Sequence, residues 1–508
     1  MVERLVLTGQ NLGLETVERV AGPTPIRVSL GRAARRRVEA ARREVDSLVA
    51  EGRVVYGVTT GFGALSEVVI PAERLAELQA NLIRSHASGT GEPLDEAEVR
   101  ATMLLRANVL ARGFSGVRPA VIDLLLELLN RRIHPVVPRY GSVGASGDLA
   151  PLSHLALTLM GEGIAELGGQ RMSAGEALRQ AGLDPVVLAA KEGLALNNGT
   201  QAHAAIGTLA LLAAERAIAT ADVAAAMSLE ALRGTPDPFA EELQLLRPHA
   251  GAVQSAAILR RLLAGSEIRE SHRYDDPRVQ DPYSLRCVPA IHGAARQAAA
   301  CTRSVLEIEV NSVTDNPIVL AESGRVLSGG NFHGQPVAQA LDLLAIGCAT
   351  VGNVSERRVA RLVDAGRSGL PAFLSPEPGI NSGMMLVQVT AASLAAELRL
   401  LANPASVHSI PTSADLEDHV PMGMAAALKA RNAVRLLESM LAIELLVGAQ
   451  ALEFLRPLRP GSGVAEAYES IRSMVPPLGR DRVPAPDIAA VESMVRGGVF
   501  ARIARSAD

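Results

Sequence analysis

Apolar positions recur every three to four residues through most of the chain, broken by short polar, glycine-rich runs, and this spacing predicts helix after helix. Two short β-like pieces, Arg4–Thr8 and Ile26–Ser29, precede a charged helix over 31–51. A second helix runs from about 72 to 86, and two more occupy 95–130, linked by Gly113-Phe114-Ser115-Gly116. Thr208–Arg233 contains no Gly or Pro before Gly234, roughly 40 Å of helix at 1.5 Å per residue. Similar patterns recur near 290–310, 336–364, 384–402 and 422–456. Helices this long bury their apolar stripes only against one another. The pattern therefore predicts a mainly α fold: an N-terminal domain over residues 1–200, mixed but mostly helical, and an extended helical bundle over 201–508. Uncharged runs such as 196–214 carry Asn, Gln and His, and read as buried helix rather than membrane span. No short-period repeat is evident.

Composition sharpens this picture. The 508 residues are formally enough for about three average domains. They are 48% hydrophobic but only 2% aromatic, with no Trp, so the predicted core is aliphatic helix against helix. A net charge of -4 with no basic stripe or acidic tail argues against nucleic acid and membrane surfaces as partners. Cys287, Cys301 and Cys348 match no metal spacing and fit a reducing cytoplasm. The start, Met1-Val2-Glu3-Arg4, lacks an apolar signal core, so a cytoplasmic protein is expected. No metal-ligand cluster such as His-Glu-x-x-His occurs.

Candidate chemistry sits in the interruptions. Gly141-Ser142-Val143-Gly144-Ala145-Ser146-Gly147-Asp148, continuing to His154, is too glycine-rich for helix and too polar for buried strand. A phosphate loop would need a Lys that does not follow, and a hydrolase elbow would need Gly where Asp148 stands. Two readings survive: an ordinary Gly/Ser loop, or backbone self-cyclisation at Ala145-Ser146-Gly147. The tripeptide alone decides nothing, because Ala87-Ser88-Gly89 repeats it. The other interruptions are equally open by residue type. Tyr56, heading Tyr56-Gly57-Val58-Thr59-Thr60-Gly61-Phe62-Gly63, could be a packing residue, and His86 could simply complement a helix C-terminus. Asn197 or Asn198 could cap the helix that follows. Arg286, in Gln280-Asp281-Pro282-Tyr283-Ser284-Leu285-Arg286, could form a surface ion pair or grip a carboxylate with its planar fork. Phe332 could be a packed aromatic.

Taken together and in order, these runs resemble the aromatic amino acid ammonia-lyases, which make a methylidene-imidazolone (MIO) electrophile from Ala-Ser-Gly. The matches extend from Tyr56 to about Asp487. They include Glu309 to Pro317, Ser328-Gly329-Gly330-Asn331-Phe332-His333-Gly334, and Pro411-Thr412-Ser413-Ala414-Asp415-Leu416-Glu417-Asp418-His419. The resemblance implies the helical fold of the fumarase/aspartase-like superfamily, with the MIO loop in the N-terminal domain. It further implies a prosthetic group built from Ala145, Ser146 and Gly147 with no external cofactor and no metal, and a homotetramer with shared active sites. It assigns Tyr56 as the base and Tyr283 as its assistant. Arg286 would bind the substrate carboxylate with Asn198 and Gln280 in support, and Phe332 would lie near substrate and electrophile. His86 and Glu417 would read the side chain.

Ser85-His86 and Glu417 are the versions found in the family's histidine-specific branch, where relatives acting on phenylalanine generally carry Gln at the Glu417 position. The implied reaction is non-oxidative deamination of L-histidine to trans-urocanate and ammonia, in histidine breakdown. Thr59, Ala290, His292 and Leu416 depart from the usual pattern, and Thr59 and Leu416 lean toward a phenylalanine or tyrosine ammonia-lyase or a 2,3-aminomutase on the same scaffold. A catalytically silent helical scaffold is the reading from a different class; joint retention of Ala145, Ser146, Gly147, Tyr56, Tyr283 and Arg286 argues against it.

Overall fold

The helix expected over 31–51 forms as Arg32–Ala50 because Ala34, Val38, Ala41, Val45 and Leu48, three and four residues apart, share one buried face. Ala41 and Val45 join Val58, Leu75, Ala190 and Val319 in one core cluster, which anchors the Tyr56 loop through its own Val58. A computed structural model describes residues 3–274, 276 and 278–505. The other predicted helices form as Leu75–His86, Glu96–Ala111, Pro119–Asn130, Gln201–Ala231, Val288–Glu309, Gln335–Val363, Met385–Leu401 and Gly423–Glu453. The fold is mainly helical, as the apolar spacing requires.

Among the described residues the strands form four small sheets. Glu3–Leu7 and Ile26–Leu30 pair in parallel, with Leu5 opposite Val28, and the helix Leu14–Ala21 makes the crossover. Thr90–Pro93 pairs with Pro138–Tyr140 at the entrance to the glycine-rich loop. Ile133–Pro135, Ile164–Leu167 and Gln170–Ser173 form an antiparallel sheet, and Ile318–Leu320 and Arg325–Leu327 a hairpin.

The chain divides into two compact units. One comprises Met1–Leu209, Arg303–Leu341 and Pro404–Leu428; the other comprises Ala210–Thr302, Asp342–Asn403 and Lys429–Asp508. The expected division at residue 200 is a single cut, whereas the first unit regains two later segments. Helical periodicity reports which face of a segment is buried, not which distant segment buries it.

In the first unit, Glu96–Ala111 is buried on nearly every side. Its polar residues therefore need partners. Arg100 donates to the Val20 and Leu129 carbonyls, and Asn108 to the Val310 carbonyl. In the second unit, Asp222 staples three helices together. It accepts from His292 Nδ1 at 2.7 Å, from Ser255 Oγ at 3.2 Å and from Arg296 at 2.5 Å. The departure at His292 is thus a buried side chain with a carboxylate partner. Gln201–Ala231 and Gln335–Val363 are long and apolar enough to cross a membrane, but most of each apolar window is buried within the protein.

Candidate active site

The site in the first unit is built around residues 141–148. Gly144 and Gly147 adopt φ values of 79° and 75°, a region that side chains other than Gly enter at a cost. A Cβ on Gly147 would collide with the backbone of Gly199. Glycine at both positions lets two loop backbones touch, and the Asp148 N–H donates to the Gly199 carbonyl at 2.7 Å. Other segments clamp the loop from either side: Gly334 N donates to the Gly144 carbonyl at 3.2 Å and Met422 N to the Val143 carbonyl at 2.8 Å. Segments far apart in the chain therefore converge on Ala145-Ser146-Gly147. Among the described residues, neither the Gly147 N–H nor the Ala145 carbonyl has a hydrogen-bond partner. An unpaired donor on a buried backbone is uncommon and calls for an explanation.

Ser146 Oγ donates to Glu417 Oε1 at 2.6 Å. Glu417 is held by a tight turn in which Ser413, Ala414 and Asp415 all have positive φ. The turn closes through a reciprocal backbone pair between Thr412 and Glu417, and Thr412 Oγ1 donates to Glu417 Oε2 at 2.7 Å. Asn198 Nδ2 donates to the Ser146 carbonyl at 3.1 Å, while its buried Oδ1 has no partner among the described residues. His86 ends the helix Leu75–His86, with Ser85 Oγ 3.0 Å from its Nδ1. Partial burial lowers the His86 pKa, against opposing effects from the Leu82 backbone and the negative charge of Glu417. Ser146, Asn198, His86 and Glu417 thus gather at one place.

Tyr56 accepts a hydrogen bond from Gly63 N at 3.4 Å, and its loop approaches the Glu417 turn where Gly63 faces Ser413. Thr59 donates to the Arg53 carbonyl at 2.7 Å and accepts from Val55 N, so its hydroxyl closes its own loop. Phe332 is half-buried, two residues before the Gly334 clamp. Next to it, His333 stacks on His419 at 5.9 Å and reaches the His419 carbonyl through Nε2 at 3.1 Å, joining the two clamping segments.

Gln280, Tyr283 and Arg286 belong to the second unit. Tyr283 and Arg286 share the short helix Tyr283–Arg286, with the guanidinium 4.6 Å from the centre of the Tyr283 ring. Tyr283 is 68% exposed, Gln280 is exposed, and the buried Arg286 Nε has no hydrogen-bond partner among the described residues.

Sequence reasoning passed over the layer beneath the loop. Asp148, fully buried, accepts from Ser142 Oγ at 3.0 Å and from the backbone N–H of His203 at 2.9 Å, and lies 2.9 Å from His203 Nδ1. Burial opposes a charge on His203, yet Asp148 and Glu309 outweigh it and raise its pKa. Glu309, itself pushed up by burial, is bonded by Thr200. The available signal was a lone Asp closing the loop and a lone His in an apolar helix, neither of which stands out. Among the described residues no group of three or more His, Cys, Asp or Glu could hold a metal ion.

This arrangement has close relatives. The chain is 55% identical over 505 residues to histidine ammonia-lyase of Anaeromyxobacter sp. (strain K), covering 98% of this chain and 99% of the relative. Its fold is similar to a crystal structure of histidine ammonia-lyase from Trypanosoma cruzi, with a TM-score of 0.92, 40% identity, and coverage of 99% of this chain and 95% of that one. Tyrosine aminomutase from Streptomyces globisporus matches with a TM-score of 0.92 at 35% identity, covering 98% of each chain. The aromatic amino acid lyase profile matches residues 12–473. With the Ala145-Ser146-Gly147 loop at its centre and this likeness from end to end, the chain belongs to the aromatic amino acid lyase family.

Proposed function

We propose that this lyase deaminates L-histidine to trans-urocanate and ammonia, using an MIO group that forms from its own Ala145, Ser146 and Gly147. The observation that carries the cyclisation is the unpaired Gly147 N–H and Ala145 carbonyl within an otherwise tightly clamped loop. In ring closure the Gly147 nitrogen bonds to the Ala145 carbonyl carbon, whose oxygen leaves as water with the Gly147 and Ser146 amide protons. The Ser146 hydroxyl leaves as a second water with the Cα proton. Small residues at 145 and 147 leave room for this approach.

The finished group supplies an electrophile that takes up the substrate's amino group and turns a poor leaving group into a good one. The chain's own residues do the rest. Tyr56, at the edge of the site, is the base for the β-proton. Asn198, whose Nδ2 holds the Ser146 carbonyl, lies beside the electrophile and supports substrate binding. Glu417 and His86 read the ring: an imidazole has two polar nitrogens, whereas a phenyl ring would leave the carboxylate without a partner. Phe332 closes the pocket on the side of the Gly334 clamp.

Tyr283, Arg286 and Gln280 complete the site from neighbouring copies in a homotetramer with shared active sites. An exposed Tyr283 and an Arg286 with an unpaired Nε suit groups that await a substrate carboxylate and amine. Three cysteines that form no disulfide among the described residues suit a cytoplasmic setting. The departure at Thr59 gives no support to a phenylalanine or tyrosine substrate, since Thr59 bonds within its own loop.

Two measurements test this reading. Intact protein should weigh two waters less than the encoded chain, and Ser146→Ala should abolish the deficit. An assay panel of histidine, tyrosine and phenylalanine should yield urocanate fastest. Faster cinnamate or coumarate formation, or recovery of a β-amino acid, would overturn the substrate assignment.

A further inference from the structure

Beneath the Asn198–Gly199 turn lies a cation that the proposed reaction does not use. Arg106 projects from the helix Glu96–Ala111 and is completely buried. A single nitrogen, Nη1, donates to the Asn198 carbonyl at 2.8 Å and to Gln201 Oε1 at 2.6 Å. Gln201 Nε2 in turn donates to Thr314 Oγ1 at 2.7 Å. Nε and Nη2 have no hydrogen-bond partner among the described residues. The hydrogen bonds of this guanidinium thus go to the Asn198 carbonyl and to the side chain that opens the next helix. Burial lowers the Arg106 pKa to about 10, which leaves it charged at neutral pH.

The turn is moulded on this group. Gly199 has a φ of 142°, and a Cβ there would lie 2.8 Å from both Arg106 Nη1 and Thr314 Oγ1. The same two residues then hold the reactive loop from below. Asn198 Nδ2 donates to the Ser146 carbonyl, and the Gly199 carbonyl accepts from Asp148 N. Both peptides flanking Gly147 are thereby fixed, while its own N–H stays free to attack.

We propose that Arg106 is a positioning residue for ring closure at Ala145-Ser146-Gly147, acting through the Asn198–Gly199 turn. This rests on the self-cyclisation reading above. Closure joins atoms two residues apart in a crowded loop, and small misplacements in such geometry slow reactions severely. A charge-assisted hydrogen bond to the Asn198 carbonyl supplies the needed rigidity.

The test compares intact masses of purified full-length wild type, Arg106→Lys, Arg106→Met and Gln201→Leu, each taken soon after synthesis and after prolonged incubation. Thermal unfolding and oligomer size are measured alongside. Wild type lacking two waters establishes cyclisation; wild type at full encoded mass would sink that reading and this one with it. Given cyclisation, folded Arg106→Met is expected to close roughly tenfold or more slowly, with Lys intermediate because it keeps a charge and one donor. Gln201→Leu, which leaves Arg106 in place but frees one leg of its contact, should close more slowly than wild type. Folded variants that reach the two-water deficit as fast as wild type would overturn the assignment. If Arg106 variants do not fold, Gln201→Leu decides by the same criterion, and collapse of all three would assign Arg106 to stability instead.

Discussion

Glu417 carries more of the specificity argument than any other side chain. Its carboxylate is oriented before substrate arrives, one oxygen by Thr412 and the other by Ser146. The Ser146 bond disappears when that hydroxyl leaves as water, so on the proposed reading cyclisation frees one carboxylate oxygen for the substrate's imidazole. Replacement by an amide keeps the shape but removes the charge. Glu417→Gln is expected to cut kcat/KM for histidine by about a hundredfold while narrowing the gap to phenylalanine, with little change in thermal stability. Steady-state kinetics on both substrates measures this, and an unchanged histidine-to-phenylalanine ratio would contradict it. Glu417 and His86 could be singled out in the sequence because each sits in a distinctive run. Arg106 and His203 could not: Arg106 is one of several polar residues on its helix and His203 sits in a largely apolar one, and each takes its meaning from a partner distant in sequence, Asn198 for Arg106 and Asp148 for His203.

Secondary structure shows a similar division between local and distant information. The long helices were legible because their apolar spacing is local. Two strands, Glu3–Leu7 and Ile26–Leu30, were legible as β-like pieces; the other strands among the described residues, three or four residues long and stabilised by partners elsewhere in the chain, were not. One of them has a measurable effect on stability. His134, on the strand Ile133–Pro135, has its pKa lowered to about 4, chiefly by burial, with Glu96 opposing the shift and Arg100 and Arg132 adding to it. The folded chain thus prefers a neutral imidazole, and the unfolded chain takes up the proton first as pH falls. His134 therefore stabilises the fold fully above about pH 6.5, and that contribution fades toward pH 4, amounting to at most about 3 kcal/mol. Urea midpoints followed across this window should fall with acid in the wild type. His134→Gln should flatten part of that slope, and an identical slope in both proteins would exclude His134 as its source.

On the proposed reading, assembly would use what a single chain leaves exposed. On the helix Met385–Leu401 only Val387, Ala391, Ala395 and Leu398 are buried, and Leu386, Val389 and Leu400 face outward at 59%, 51% and 70% exposure. Apolar side chains on one exposed helix suit burial against further copies of the chain. Sites shared between copies, as proposed, predict complementation. Tyr56→Phe and Arg286→Ala chains, each nearly inactive alone, should recover part of the wild-type rate when co-assembled, because some mixed sites draw both intact residues. Mixed tetramers as inactive as either parent would rule out sharing.

The clamp around residues 141–148 also bears on how the protein is made. Gly199, Gly334 and Met422, which fix the loop, all leave the ribosome after it does. A nascent chain that has emerged only as far as the loop has no means of holding Ala145 and Gly147 in attacking geometry. The prosthetic group would then serve as a record of completed synthesis: premature termination products, chains trapped in inclusion bodies and misfolded species would keep an ordinary peptide at 145–147, chemically distinguishable from finished enzyme by two missing waters.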